Sequence, residues 1–188
     1  MGYADDKGET LKTQTDAWVK VIKSAPKYAG SKYIVISGNH ELNRKHKDQK
    51  VSNPATDPVW TKFVSENKFI PAVHSGPTAA SSPGDDLVGD QSALSFSYDQ
   101  GSVHFVVLNT DTRVTKIDKE AGKTKVGMIP VNWLNSDLDA AEKNTNIKQV
   151  IVMGHRNVID PLTSKGDAPI DETCSGPMIK SLESHHKV

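Results

Sequence analysis

Two short apolar runs, each ending in a glycine and then a polar cluster with a histidine, constrain the fold of this chain most. The first run, Ile34 to Ile36, leads through Ser37 into Gly38-Asn39-His40-Glu41, and the second, Val150 to Met153, leads into Gly154-His155-Arg156. Continuous apolar runs of this length are typical of strands that are buried on both faces of an α/β sheet. Ligands of such sheets bind at the carboxyl ends of the strands, so both histidines are candidates for one site.

The remaining patterns predict a layered α/β arrangement in a single domain of residues 1–188. Apolar residues at helical spacing predict helices at residues 9–25, 57–68, 130–144 and 173–186. The two apolar runs predict strands at 32–38 and 148–155, and residues 93–111 predict a hairpin that turns at Gln100-Gly101. Stretches rich in turn residues predict loops at 75–92 and 113–127.

Composition excludes several classes of protein. The 23 Lys and Arg residues balance the 23 Asp and Glu residues, which argues against a main role in binding nucleic acid or an anionic membrane. Cys174 is the one cysteine, so the chain has neither an intrachain disulfide nor a cysteine-based zinc site. No apolar run approaches the roughly 18 residues of a membrane span, and we expect no signal peptide within these residues.

The residue types at the two predicted strand ends suit a metal ion that holds an anionic ligand. Neutral imidazole is the commonest nitrogen ligand of zinc, iron and manganese, and an amide oxygen suits the harder ions. The glycine before each cluster is expected to let the backbone turn sharply. We therefore expect the clusters at 38–41 and 154–156 to aim side chains at a bound cation and an anionic ligand.

Five features in the same order resemble the calcineurin-like metallophosphoesterases, most closely their purple acid phosphatase branch. Gly38-Asn39-His40-Glu41 resembles the superfamily's Gly-Asn-His-Asp/Glu block, and Val152-Met153-Gly154-His155 resembles the branch's Val-x-x-His block. Residues 92–112 look like the branch's hairpin, and residues 133–143 look like the helix that follows it. The opening "MGYADD" looks like the end of a Gly-Asp-x-x-Tyr-Ala block. The resemblance covers most of the chain.

The resemblance implies a layered α/β/β/α metallophosphoesterase sandwich, of which this chain would be the central part, incomplete at both termini. It implies hydrolysis of phosphomonoesters by a metal-activated hydroxide at a dinuclear site, with iron beside zinc, manganese or a second iron. The family's bridging aspartate, first-block aspartate and Gly-His-x-His block have no counterpart in this sequence. We therefore expect this chain to be weak or inactive as a phosphatase on its own.

The resemblance also implies a role for each matching residue. Asn39 and His155 would be ligands of the second metal, and Tyr3 would be a ligand of the first, an iron(III) in purple enzymes. His40 would face the substrate, where it stabilises developing charge or protonates the leaving oxygen. Glu41 would orient the loop. The implied partner is a small phosphorylated substrate.

Other interpretations stay open. The enzyme could be a phosphodiesterase or nucleotidase of the same superfamily, or the chain could be a non-catalytic binding module that keeps the scaffold without a complete metal site. Asn39 and His40 could be ordinary loop residues, and Tyr3 could simply pack near a terminus. The compartment stays open, with a secreted or lysosomal one compatible with the resemblance, and so does the oligomeric state.

For the remaining histidines we expect no chemistry. His104, inside an apolar run, is predicted to pack in a strand, while His46 and His74 are predicted to be exposed. His185 and His186 stand at a helix end, where a cation is favourable. The basic stretch at residues 44–50 is predicted to be a solvated loop.

Overall fold

The computed structural model describes residues 7–25, 32–46, 49–52, 55–111, 126–159 and 169–188. Among these residues the helices are α1 (Glu9–Ser24), α2 (Asn39–Leu42), α3 (Thr56–Glu66), α4 (Val131–Lys143) and α5 (Glu172–Ser184). The strands are β1 (Asn43–His46), β2 (Gln49–Ser52), β3 (Phe96–Gln100), β4 (Val103–Val107) and β5 (Gln149–Met153). The fold is therefore of the mixed α/β class, as predicted. No helix in this part of the chain is long and apolar enough to cross a membrane.

The strongest sequence patterns fold as predicted. All four predicted helices are present, as α1, α3, α4 and α5, and the second apolar run forms β5. The predicted hairpin is β3 and β4, although its turn lies one residue later than predicted, at Gly101-Ser102. Gly101 has a φ of 63°, a left-handed conformation that favours glycine in a tight hairpin turn. The predicted loop at 113–127 lies mostly outside the described residues.

The central sheet brings the ends of two parallel strands to one edge. Its strand order is β3-β4-β5, with β3 antiparallel and β5 parallel to β4. Val107 pairs with Met153 at the end of the parallel ladder, and the Leu108 amide continues it by donating to the Met153 carbonyl at 2.8 Å. Residues 109–111 and 154–156 therefore leave the sheet side by side.

One face of this sheet packs against α4 and α5. Side chains from the sheet, the two helices and the segments before them form a continuous buried cluster, which includes Val106, Leu108, Ile129, Trp133, Leu134, Leu138, Val150, Ile170, Cys174 and Met178. Burying each large apolar side chain contributes about 1.5–3 kcal/mol. This cluster holds β4 and β5 in place and so positions the loops that follow these strands.

A second apolar cluster lies between α1, α2 and α3. Its buried members are Leu42, Trp60, Phe63, Val64, Phe69 and Leu94. Trp18 of α1 meets the rings of Phe63 and Phe69 edge-on, with ring centroids 6.1 and 5.4 Å apart respectively. Leu42 is fully buried, so this cluster anchors the end of the short helix that begins with Asn39.

The prediction of a strand at 32–38 is wrong. This segment has no regular secondary structure and pairs with no strand among the described residues. Its apolar pattern has another cause, because Tyr33 and Val35 pack against the second cluster while Ile36 is 37 % exposed. A buried apolar run does not distinguish a strand in a ladder from an extended segment held by its side chains.

Two predicted loops are more ordered than expected. The described residues of the basic stretch, 44–46 and 49–50, lie in β1 and β2, which pair antiparallel, rather than in a loop. Within 75–92, the buried Asp85 accepts hydrogen bonds from the amides of Asn132 and Trp133 at 3.1 and 2.9 Å. These are donors of the first turn of α4 that the helix itself leaves unsatisfied, so the loop caps that helix.

Candidate functional site

Asn39 and His155 meet at the edge where β5 ends. His155 Nε2 lies 3.0 Å from Asn39 Oδ1, although 116 positions separate the two residues in the sequence. Asn39 begins α2 and is 2 % exposed, whereas His155 lies two residues beyond β5 and is exposed. The prediction that these two side chains lie close together in space is confirmed.

Glu41 and His155 contact Gly38, the residue before Asn39. The Gly38 amide donates to Glu41 Oε2 at 3.0 Å, which is the backward contact of a helix capping box. Glu41 thus makes the contact expected of a residue that orients the loop. A Cβ atom on Gly38 would lie 3.2 Å from two atoms of the His155 ring, so glycine lets the imidazole lie against the backbone here.

Gly154 is required by space as well. A Cβ atom at this position would lie 2.7 Å from Thr110 Cγ2, a separation that real structures essentially never show. Gly38 has a φ of −125°, and neither glycine has a left-handed φ. Neither glycine is needed for a left-handed backbone, so the feature that favours glycine at both positions is close approach between the loops.

The other predicted site residues are placed less completely. His40 follows Asn39 in α2 and is half-buried. Tyr3 lies outside the described residues, so its predicted role stays a prediction. Within the described part of the chain, no three His, Cys, Asp or Glu side chains are grouped so that they could hold a metal ion.

A buried ion pair beside this site was missed by the sequence reasoning. Asp111 Oδ1 accepts from Arg156 Nε at 2.7 Å and lies 2.6 Å from the same guanidinium's Nη2. Asp111 is fully buried and the Arg156 side chain is 1 % exposed. The Arg156 amide also donates to Thr110 Oγ1 at 3.0 Å, so the residue after His155 is held by both its backbone and its side chain.

The same carboxylate holds the loop that carries Asn39. Asn43, which is fully buried, donates from Nδ2 to Asp111 Oδ1 at 3.1 Å. The backbone amide of Asn43 donates to the backbone carbonyl of Asn39, and this hydrogen bond ends α2. A signal for this network was present, because the apolar run of β4 also ends in a polar cluster, Asn109-Thr110-Asp111.

His104 is buried as predicted, but it also carries an ion-pair network. Its Nδ1 lies 2.5 Å from Asp99 Oδ1 and its Nε2 lies 2.9 Å from Asp137 Oδ2. Because both acceptors are carboxylates, both ring nitrogens donate and the ring is an imidazolium. Burial by itself lowers the pKa of His104, but the hydrogen bonds and charges of Asp137 and Asp99 outweigh it and raise that pKa above 6.5. The Asp137 carboxylate also accepts from Ser97 at 2.6 Å.

His185 stands at the end of α5, as predicted. Its ring is also buried, with Nε2 3.0 Å from Asp139 Oδ1, so it joins α5 to α4, which was not predicted. Burial lowers its pKa, but hydrogen bonds to Ser181 and Asp139 raise it to a net value above the ordinary one. His74 is only half-exposed and contacts Phe96 edge-on. His186 is exposed, and the side chain of His46 lies outside the described residues.

Comparison with known proteins finds no matching family model, no matching curated protein and no matching solved structure. The resemblance to the metallophosphoesterases therefore stays a prediction from the motifs. The geometry at Asn39 and His155 is the independent observation that bears on it.

Proposed function

We propose that this chain carries part of the metal centre of a phosphoesterase of purple acid phosphatase type, which hydrolyses phosphomonoesters. The observation that carries the proposal is the 3.0 Å approach of Asn39 Oδ1 and His155 Nε2. These residues were selected as ligands of one metal from motifs at distant positions in the sequence. Their convergence is what a shared ion requires of them.

The two donor atoms fit a metal ion in kind and in spacing. An imidazole nitrogen and an amide oxygen are ligands that iron, zinc and manganese accept. With bonds of about 2.1 Å, two neighbouring donors are about 3.0 Å apart around an octahedral ion and about 3.4 Å apart around a tetrahedral one. The 3.0 Å hydrogen-bonded separation of Asn39 Oδ1 and His155 Nε2 is compatible with both atoms binding one ion.

The proposed centre holds two ions, iron with zinc, manganese or a second iron, and such a centre supplies hydroxide near neutral pH as the nucleophile. Asn39 and His155 hold the second ion. His40, the next residue in α2, faces the phosphoryl group, where its ring stabilises negative charge and protonates the leaving oxygen. The substrate is a small phosphorylated molecule.

Tyr3 is proposed as a ligand of the first ion. A phenol has a pKa of about 10 in water, and a strongly Lewis-acidic ion such as iron(III) is needed to hold it as a phenolate at neutral pH. The iron-loaded chain should then show a visible charge-transfer band that Tyr3→Phe removes. A band that persists in Tyr3→Phe would show that Tyr3 is not the phenolate ligand of the iron.

A non-catalytic binding module is the second candidate, and one observation favours it. The described residues offer Asn39 and His155 but no group of three His, Cys, Asp or Glu side chains for an ion. A catalytic metal normally keeps about three protein ligands. Activity alone does not separate the candidates, because the chain is expected to be a weak phosphatase, so metal and phosphate binding have to be measured.

The test is metal binding by the chelator-treated chain, followed by phosphate binding. Equilibrium dialysis against Mn²⁺ or Zn²⁺, with elemental analysis, would compare the wild type with His155→Ala and with His186→Ala, a second exposed histidine away from the site. We expect His155→Ala to bind the ion at least about tenfold more weakly and His186→Ala to match the wild type. Inorganic phosphate should bind only to the metal-loaded chain.

Two results would overturn the proposal. One is a wild type that binds neither ion under conditions in which it is folded, which would favour the binding module. The other is binding that His155→Ala and His186→Ala leave equally unchanged. Metal binding without any affinity for phosphate would leave a metal site but remove the phosphoesterase assignment.

A further inference from the structure

The buried carboxylate of Asp111 lies between the two loops that carry the proposed metal ligands. On one side it accepts from Asn43 at 3.1 Å, and on the other side it accepts from Arg156 at 2.7 Å. Both hydrogen bonds reach the same oxygen atom, Oδ1. One atom therefore joins the end of α2 to the segment after β5.

Each residue that contacts Asp111 is linked directly to a proposed ligand, Asn43 to Asn39 and Arg156 to His155. The Asn43 amide donates to the Asn39 carbonyl, so a shift of Asn43 moves the helix turn on which Asn39 stands. Arg156 follows His155 directly, and its amide is held by Thr110 Oγ1 at 3.0 Å. The chain thus has little freedom on either side of the site while Asp111 keeps its contacts.

We propose that Asp111 is a positioning residue, which sets the distance between Asn39 and His155 by holding both loops on one carboxylate. The cost of burying a charged pair supports a specific role, because the removal of charged groups from water is expensive and apolar packing would stabilise a strand end equally well. Asp111 is fully buried, so it acts through Asn43 and Arg156 and not on a substrate. The metal-binding arm of this inference rests on the proposed function.

The experiment compares Asp111→Asn with Asp137→Asn. Asp137 also has a largely buried carboxylate, with a side chain 9 % exposed, and it holds His104 near the opposite end of β4. His104 is the second residue of β4, whereas Asp111 lies four residues beyond the end of that strand. Asp137→Asn therefore controls for the loss of stability without touching the site.

Two readouts separate positioning from stability, both taken at a temperature at which each variant is folded by near-UV circular dichroism. The first is the pair of ring ¹⁵N resonances of His155 in the metal-free chain, which report its hydrogen bond to Asn39. The second is the dissociation constant for Zn²⁺. Asp111→Asn should shift the ring resonances and weaken Zn²⁺ binding about 10–100-fold, the usual effect of removing a group that orients ligands. Asp137→Asn should change neither.

If Asp111→Asn does not fold, Asn43→Ala decides, because it removes the contact to α2 and keeps the buried ion pair. It should shift the same resonances and weaken Zn²⁺ binding in the same direction. The inference is overturned if folded Asp111→Asn keeps the wild-type His155 resonances and the wild-type Zn²⁺ affinity. If Asp111→Asn is unfolded, the same result in Asn43→Ala overturns it. If even the wild type binds no Zn²⁺, the proposed function fails, and the His155 resonances alone still decide whether Asp111 positions the pair.

Discussion

At the scale of single residues, the candidate site depends on one contact between an exposed ring and a buried amide. Asn39 is 2 % exposed and held at the start of α2, so its side chain is fixed before any ion arrives. His155 is exposed and lies against Gly38. In the proposed metal site, Asn39 would be the fixed ligand and His155 the one accessible to solvent.

His40→Ala separates the substrate role of this histidine from a metal role. The variant should keep the metal content of the wild type, because its neighbour Asn39 and not His40 is assigned to the ion. It should bind phosphate about ten- to a hundredfold more weakly, since a hydrogen bond to a charged group contributes about 1.5–3 kcal/mol. Elemental analysis and calorimetry with inorganic phosphate provide the two measurements. A variant that loses its metal as Asn39→Ala does would reverse the assignment.

At this scale, the sequence predicted residues that match a known motif and missed residues whose role depends on their position in the fold. Asn39 and His155 were selected because each matches a motif of the resembled family where an apolar run ends, and the structure brings the two side chains within 3.0 Å. Asp111 was not selected, and the partner of Arg156 was not predicted, since their pairing depends on burial and joins positions 45 residues apart. Nothing in the local pattern of either residue specifies its partner.

At the scale of elements, the site is positioned by a parallel pair of strands and one short helix. Parallel pairing of β4 with β5 puts residues 109–111 beside 154–156, and α2 is anchored to the second apolar cluster by Leu42. The helices and β3 to β5 were predictable from periodicity. The segment 32–38 was not, because an apolar run does not reveal whether a neighbouring strand is present to pair with it.

Gly154→Ala tests whether the two loops need their close approach. The added methyl group would meet Thr110 Cγ2 at 2.7 Å, and overpacking of this kind typically costs about 1–3 kcal/mol. The control is Gly176→Ala in α5, where a Cβ atom meets nothing within 4 Å beyond its chain neighbours. Because Pro177 follows and a Cβ before proline disfavours helical backbone, the gain in helix propensity is offset, and we expect a smaller change than at Gly154. Urea denaturation of both variants measures the difference. Equal stabilities for the two variants would contradict the packing described here.

At the scale of the whole molecule, two apolar clusters and several buried charged groups set the stability. The sheet with α4 and α5 forms one cluster, and α1 to α3 form the other. His104, His185 and Asp57 bind protons more tightly in the folded chain than in the unfolded one. The sequence could place these residues in elements but could not reveal their burial or their partners.

Three titrating groups should make the chain less stable as the pH rises above about 4. Burial raises the pKa of Asp57 from 3.8 to about 7, so stability falls between these values, where the carboxyl is ionised in the unfolded chain and still protonated in the folded one. The pKa values of His104 and His185 are raised above 6.5, so their contribution is fully present below that pH and is lost as the pH rises through the folded values. Thermal unfolding across this range measures the trend.

Two variants resolve this pH dependence into its parts. Asp57→Asn should flatten the curve below about pH 7 and stabilise the chain above it, because the cost of a buried carboxylate is removed. His104→Gln should lower stability at pH 6 and flatten the curve above about pH 6.5. A melting temperature that rises through this range in the wild type would show that other groups dominate.

The central claim, that Asn39 and His155 bind one metal ion, is tested most directly by Mn²⁺ titration followed in ¹H–¹⁵N spectra. A paramagnetic ion broadens the amide signals nearest to it, so the account predicts selective loss of the signals of residues 38–42 and 154–156 at low Mn²⁺ concentration. The double variant Asn39→Ala/His155→Ala should abolish this loss, and His186→Ala should leave it unchanged. Broadening that begins elsewhere in the chain, or that persists at 38–42 and 154–156 in the double variant, would contradict the claim.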